Sequence, residues 1–191
     1  MQMDVYEKCP VLEDNHFLIR LIEENDAADL MEVYGDKFAL PFFNSDNCNG
    51  SNFYCRTMED VKNTIKYWLI EYHENKGFVR FSVIDKKKEK TIGTIEMFRR
   101  EAEDFYNDCG ILRLDVRSDC EKTEVLYGVL SLITTPFFDW FGCSMIATKA
   151  VGYAVDRIEA LKRAGFEKSS KALIGHHQKI AYYDYWIIQK S

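Results

Sequence analysis

The segment between Gly110 and Phe141 is the part of the sequence that most clearly suggests a binding site. It reads GILRLDVRSDCEKTEVLYGVLSLITTPFFDWF, which predicts a strand up to Val116, a polar connection over 117–122 and a long apolar helix over about 123–141. The first turn of a helix presents backbone N–H donors and the positive end of the helix dipole, so this connection suits phosphate or another anion. An ordinary strand-to-helix connection with no ligand is the alternative.

The segment 36–56, DKFALPFFNSDNCNGSNFYCR, is the second feature that suggests binding. Its asparagines and its glycine indicate turns, while its aromatic side chains need cover. A long aromatic loop inside a compact domain is often a binding element, and a loop held on the core by its own aromatic rings is the equally weighted alternative. The candidate substrate-contacting residues here are Phe42, Phe43, Asn44, Phe53 and Tyr54.

The cysteines and histidines do not indicate a metal centre. No two of the six cysteines have the C-x-x-C spacing, and the four histidines are not placed to complete a zinc site. We therefore expect no metal and no disulfide framework, but small buried thiols in a reducing compartment.

The composition limits the class of protein. The chain has 191 residues, 31 acidic and 25 basic side chains and a net charge of −6. This length predicts a single domain over 1–191, and the acidic balance argues against a nucleic-acid partner. Residues 1–10 lack a secretory signal pattern, and no apolar run approaches bilayer length. We therefore expect a cytoplasmic protein with no membrane partner.

Hydrophobic periodicity predicts the elements that must position these residues. Residues 1–15 are expected to form a polar extension over the surface. The predicted strands are 16–22, 77–84, 91–98, 111–116, 143–150 and 180–189, and the predicted helices are 27–34, 57–74, 123–141 and 156–164. Gly93, inside a strand, permits a bulge or a close backbone approach. Three successive strands before the long helix predict a mixed α+β domain with a largely antiparallel sheet.

Four strings, in this order, resemble the GNAT superfamily of acyl-CoA-dependent N-acetyltransferases, in particular its ribosomal-protein alanine acetyltransferase branch. They are LIRL with ENDAADL at 18–30, TIGTI at 91–95, the segment 110–141 and IEALKRAGF at 158–166. The resemblance covers nearly all of residues 16–189. It implies a GNAT-like fold, with a central, mostly antiparallel sheet of six to seven strands flanked by about four helices.

The same resemblance implies acetyl-CoA as co-substrate. In this fold two central strands separate, and their exposed backbone groups hold the pantetheine arm, while the start of the long helix holds the pyrophosphate. The implied cofactor-binding residues are Leu114, Asp115, Val116, Arg117, Lys122, Thr123, Glu124 and Val125.

The phosphate-binding loop departs from the family pattern. The motif R/Q-x-x-G-x-G/A aligns with residues 121–126, where Glu121, Glu124 and Leu126 replace the arginine and the small residues. Carboxylates would then face phosphates, and like charges in contact repel by about 1 kcal/mol in water and by several at a partly buried site. A tyrosine that acts as general acid in some members is missing near Leu161.

Acetyl transfer requires a neutral amine and therefore a proton acceptor. Glu96 and Asp115 are the implied catalytic residues, because their strands would flank the cleft. The alternatives are a solvated carboxylate for Glu96 and a structural ion pair with Arg113 or Arg117 for Asp115. His176 and His177 lie in the last connection, where this fold places the acceptor; a histidine suits proton transfer, and a solvated loop histidine is the alternative.

Two functions follow, and they belong to different classes. The first is a transferase that moves an acetyl group from acetyl-CoA to a primary amine of a small molecule or a protein N-terminus, with a homodimer as its candidate assembly. The acidic chain favours a cationic amine. The second is a non-catalytic GNAT-like domain that binds a small ligand or a protein partner, and the lost glycines favour it.

Overall fold

An eight-stranded sheet runs through the computed structural model, which describes residues 4–176 and 179–190. Its strands are β1 Leu12–Glu13, β2 Phe17–Leu21, β3 Val79–Asp85, β4 Lys90–Arg100, β5 Cys109–Val116, β6 Met145–Lys149, β7 Glu167–Lys168 and β10 Tyr185–Gln189, with β8 Leu173–Ile174 and β9 Ala181–Tyr182 forming a separate pair. The helices are α1 Ala27–Tyr34, α2 Met58–Ile70, α3 Thr123–Phe141 and α4 Val155–Arg163. His177 lies outside the described residues.

The spatial order of the large sheet is β1-β2-β3-β4-β5-β6-β10-β7, and every pair is antiparallel except β5 with β6. This confirms the predicted mixed fold class with its mostly antiparallel sheet and four helices. The sheet exceeds the expected six to seven strands because β1 and β7 have two residues each, too short to show a hydrophobic period. The predicted strand 180–189 is divided at Asp184, whose φ of 65° is left-handed.

Helix α2 begins where its sequence signals place it. The Thr57 hydroxyl accepts a hydrogen bond from the Asp60 amide at 3.1 Å, and the Asp60 carboxylate accepts one from the Thr57 amide at 2.9 Å. This reciprocal capping box satisfies donors that the first turn leaves open. Val61, Ile65 and Trp68 are buried at helical spacing, so α2 packs on the same side of the sheet as α1.

Helix α3 covers the opposite side of the sheet with an almost wholly apolar surface. Phe137 stacks on Phe81 of β3 at 5.5 Å between ring centroids. The N-terminal segment contributes to this core through Val5, which is 2% exposed and whose carbonyl accepts a hydrogen bond from the Tyr72 hydroxyl at 3.0 Å. The expectation that residues 1–15 only lie over the surface is therefore wrong at Val5.

Strands β5 and β6 separate along their length. Their parallel pairing joins Gly110 to Ile146, Ile111 to Ala147 and Leu112 to Thr148. Beyond Leu112, β5 continues to Val116 beside β4 alone. We call this gap, at residues 113–116 of β5, the β5–β6 opening; the starts of α3 and α4 border it.

Gly93 lies where β4 approaches β5 most closely. It pairs with Val116, and a Cβ atom on Gly93 would fall 2.9 Å from the Val116 Cα, besides overlapping the Asp115 carbonyl. The β3–β4 register shifts beside it, between Val83 and Ile84. The predicted bulge and the predicted close approach are both present.

We expect Gly93→Ala to lower the free energy of unfolding by about 1–3 kcal/mol, because the added methyl group meets backbone atoms that cannot rotate away. Gly152→Ala is the control, since nothing lies within 4 Å of its added Cβ. Urea denaturation of both variants measures the difference. Equal stability of the two variants would contradict this account of the strand contact.

Candidate active site

A fully buried arginine organises the sheet face beneath α1 and α2. Arg80 of β3 has no solvent exposure. It forms an ion pair with Glu96 of β4, and its Nη1 donates to Asp115 of β5 at 3.2 Å. The same nitrogen donates to the Tyr34 hydroxyl of α1 at 3.1 Å and to Thr94 at 3.0 Å. One side chain therefore joins three adjacent strands to a helix.

Glu96 lies between two guanidinium groups. Arg80 holds one of its carboxylate oxygens and Arg113 holds the other. Burial alone would raise the pKa of Glu96, but the charges and hydrogen bonds of Arg113 and Arg80 hold it below its usual range. A carboxylate held in this way stays ionised and is a weak proton acceptor. The predicted catalytic role of Glu96 stays a prediction.

For Asp115, in contrast to Glu96, the effect of burial on the pKa exceeds that of the neighbouring charges. It is fully buried, and burial raises its pKa although the charge of Arg80 opposes the shift. Among the described residues its Oδ1 has no hydrogen-bond partner. Its ion pair is with Arg80, whereas the alternative considered from the sequence was Arg113 or Arg117. Arg117 pairs with Asp119 and with a glutamate of α1 instead.

A cleft of about 780 Å³ opens beside this network. We call it the α2 cleft. Glu96 and Arg113 line it from the sheet, Phe53 and Tyr54 from the loop, and helix α2 with its C-terminal turn completes the wall. The turn includes Glu71, so the cleft holds carboxylates and aromatic rings together.

The residues predicted to contact substrate divide between this cleft and other places. Phe53 and Tyr54 line it. Phe43 is buried against Tyr34 at 5.5 Å between ring centroids, which is the core-packing alternative. Phe42 makes an edge contact with the Tyr153 ring at 6.0 Å.

Asn44 and His176 lie on the far side of Arg113. Asn44 is buried, and its side-chain amide donates to the Tyr185 hydroxyl at 3.5 Å. His176 lines a second, smaller cleft together with Arg113 and Tyr185. The substrate-binding role of Asn44, His176 and the predicted aromatic residues stays a prediction.

Arg157 of α4 fills the β5–β6 opening. Its side chain is buried, and its Nη1 donates to the Leu114 carbonyl at 2.7 Å. Its Nε and Nη2 donate to the two carboxylate oxygens of Glu121, both at 2.7 Å. The backbone carbonyl that the family resemblance assigns to the cofactor is therefore already paired with a side chain of this chain.

The start of α3 already holds an anion. The backbone amide and the hydroxyl of Thr123 both donate to Oδ1 of Asp156 in α4, at 3.0 and 2.7 Å. Hydrogen bonds from the Thr123 hydroxyl, followed by its amide, lower the pKa of Asp156. The Asp156 carboxylate therefore caps α3, and binding of a phosphate or another external anion at this helix end stays a prediction.

The other implied cofactor residues surround this point. Val116 is buried. Lys122 is exposed just before α3, and Val125 is half-buried in its first turn. Glu124 is exposed and pairs with Arg163 of α4. Their contact with a cofactor stays a prediction.

The residues at the β5–β6 opening do not fit acyl-CoA in this arrangement. Arg157 takes the backbone partner of an extended ligand arm, and Asp156 takes the helix N-terminus that a phosphate would need. Glu121 adds a buried carboxylate beside them. The sequence comparison anticipated the charge of Glu121 but gave no signal for Arg157, because α4 lies far from β5 in the chain.

Within the described residues, no group of three or more histidine, cysteine, aspartate or glutamate side chains could hold a metal ion. No helix of the described chain combines the length and the apolar character needed to cross a bilayer. All six cysteines are free thiols.

The sequence matches no family model and no curated protein, whereas the structure matches solved ones. A GNAT-family acetyltransferase from Bacillus anthracis superposes with a TM-score of 0.68 at 14% identity, over 94% of this chain and 98% of the other. A ribosomal-protein-S5-alanine acetyltransferase from Vibrio fischeri gives 0.66 at 20% identity, over 95% and 96%. A ribosomal L7/L12 alpha-N-protein acetyltransferase in complex with coenzyme A gives 0.67 at 10%, over 93% and 96%.

These similarities confirm the fold that the four strings indicated. The chain has the GNAT acetyltransferase fold along almost its whole length. At such low identity the likeness extends to the architecture only, so the chemistry has to be argued from the side chains.

We expect Arg80→Met to lower the free energy of unfolding by about 3–5 kcal/mol, because it leaves the buried Asp115 carboxylate without its cation and removes one of the two guanidinium groups that hold Glu96. Arg99→Met, on the adjacent strand, removes an exposed ion pair with Asp108 and should cost less than about 1 kcal/mol. Urea denaturation compares the two. A loss for Arg80→Met no greater than that for Arg99→Met would show that the network does not hold the strands.

The contact at the start of α3 predicts a titration that NMR can follow. As pH falls, Asp156 accepts a proton and weakens its hydrogen bonds, so the Thr123 amide resonance should shift with it. Because the pKa of Asp156 is lowered, we expect a midpoint below the ordinary value for aspartate of about 3.9.

Asp156→Asn should abolish this shift, whereas Asp139→Asn, at the other end of α3, should leave it unchanged. A midpoint at or above the ordinary aspartate value would mean that the helix N-terminus does not hold this carboxylate in solution.

Proposed function

We propose, from the GNAT fold that the chain shares with these acetyltransferases, that it transfers an acetyl group from acetyl-CoA to a primary amine. The observation that carries the proposal is the layout: strands β5 and β6 separate at the N-terminus of α3, and the α2 cleft lies beside the same central strands. A donor site and an acceptor site on neighbouring strands are what such a transfer requires.

The lining of the α2 cleft supports a cationic acceptor with an apolar stem. Asp60 and Glu71 line it from α2 and its C-terminal turn, and Glu96 lines it from the sheet. Tyr67 and Phe78 add aromatic rings, against which an alkyl chain or an ammonium group can pack. A small diamine, an amino acid derivative or a protein N-terminus has this chemistry.

The two predicted catalytic carboxylates have different parts in this proposal. Glu96 lines the α2 cleft and can contact an amine there, so it stays the candidate catalytic residue. Asp115 has no exposure and contacts Arg80. We therefore assign Asp115 as a positioning residue, which acts on Glu96 through their shared arginine.

A non-catalytic ligand-binding domain is the second candidate, and one observation favours it. The ion pair of Arg157 with Glu121 is buried in the β5–β6 opening. A protein that used the α2 cleft for binding alone would have no need to keep that opening clear.

Several finer assignments accompany the proposal. The chain acts as one domain over 1–191, and its partner is a small-molecule amine or a protein N-terminus. The six free thiols support action in the cytoplasm, where thiols stay reduced.

A thiol-release assay with acetyl-CoA and a panel of amines tests the proposed reaction. We expect turnover to be greatest with cationic amines of extended shape, because Glu71 attracts the distal charge. Glu71→Gln should then raise KM for diamines about tenfold, a change of about 1.4 kcal/mol, and should change KM less for uncharged monoamines.

Glu74→Gln is the matched control, since Glu74 is exposed one turn away and does not line the cleft. Absence of thiol release with every amine, while acetyl-CoA binds, would favour the non-catalytic candidate.

A further inference from the structure

We infer that the first turn of α4 is an internal occupant of the cofactor site, so that acyl-CoA binds only after this turn moves away. The inference rests on the proposed function. We call the unit the α4 latch; it consists of Asp156 and Arg157 with their partners Leu114, Glu121 and Thr123.

Arg157 reproduces the backbone contact of an extended ligand. A ligand amide that lay along β5 in the opening would donate its N–H to a strand carbonyl, as a neighbouring strand does. Here the Arg157 guanidinium donates to the Leu114 carbonyl at 2.7 Å. The Arg157 side chain is 5% exposed and that of Glu121 is 6% exposed, so the pair is enclosed by protein and a ligand arm at this point would have to displace it.

Asp156 reproduces the contact of a phosphate. A helix N-terminus binds anions through its free N–H groups and the helix dipole. The Asp156 carboxylate receives both the amide and the hydroxyl of Thr123. A phosphate at this helix end would have to displace that carboxylate.

The charges make the two occupants mutually exclusive. Glu121, Glu124 and Asp156 place three carboxylates around the start of α3. Arg157 neutralises Glu121, and Arg163 neutralises Glu124 at the surface. A pyrophosphate brought next to Asp156 would meet like charge at contact distance, so the carboxylate has to leave.

The segment that precedes the latch is exposed at its centre. Gly152 has open space around it, and Tyr153 is 62% exposed. The Tyr153 hydroxyl donates to the Pro41 carbonyl at 2.9 Å, and this contact joins the latch segment to the loop 36–56. Opening of the latch therefore requires this hydrogen bond to break, and the movement is confined between Ala150 and Ala154, which are both buried.

Isothermal titration calorimetry with acetyl-CoA tests the latch. Asp156→Ala removes the carboxylate from the helix N-terminus, and it affects a partly exposed residue, so the fold should tolerate it. We expect acetyl-CoA to bind this variant at least about tenfold more tightly than the wild type, since the variant removes a like charge at contact distance from the pyrophosphate.

A second variant tests the part of the latch that contacts strand β5. Glu121→Ala combined with Arg157→Ala removes both members of the buried pair, so neither charge is left alone, and binding should again tighten about tenfold or more. Asp139→Ala and its double with Lys190→Ala are the controls, because they remove a carboxylate and then a whole ion pair, here an exposed one, at the far end of α3. Thermal denaturation of each variant checks that it is folded.

The outcomes separate the two proposals. Tighter binding by both latch variants, with unchanged controls, supports the latch. Equal affinity of wild type and latch variants overturns the latch and leaves the proposed function standing. No binding by any variant at millimolar acetyl-CoA overturns both. Tight binding by the latch variants without thiol release supports the latch and contradicts the proposed reaction.

Discussion

The structure depends on a positive charge buried between a sheet and two helices. Arg80 has no access to water, and its desolvation is offset by Glu96, Asp115 and the Trp68 ring 4.1 Å away. Because these partners come from two neighbouring strands and from α2, the arginine can stay charged only when those elements are all in place. Removing one partner of a buried ion network is costly, whereas replacing the whole network by apolar side chains is often neutral.

This requirement gives the sheet two unlike faces. The face under α3 is apolar, with Phe81 stacked on Phe137, and any well-packed set of similar volume would serve there. The face under α1 and α2 is polar around Arg80, whose Nη1 and Nη2 both donate to buried side chains. The α2 cleft forms on that second face, so Glu96 reaches it with its position and its ionisation already set by two arginines.

The β5–β6 opening is shaped by the need of exposed backbone groups for hydrogen-bond partners. Two strands that separate expose backbone groups that must find partners, and this chain supplies them from its own α4 rather than leaving them for a ligand. Arg157 pairs with the Leu114 carbonyl, and Asp156 pairs with the start of α3. The replacement of the loop glycines by Glu121 and Glu124 then has a structural use, since both carboxylates bind arginines of α4.

The sequence by itself determined the longer elements and the fold class, because hydrophobic period, caps and turn residues act locally. Helices α1 and α3 have the predicted bounds, and the Thr57 cap and the Gly93 contact are where they were expected. It also suggested the start of α3 as a place for an anion, with an ordinary strand-to-helix connection as the alternative. Only the tertiary structure decided which anion, and that Arg80 is buried. Polar residues at alternate positions of a strand predict a face exposed to solvent. Whether a helix covers that face, or brings a carboxylate to it, depends on contacts between residues that are distant in sequence.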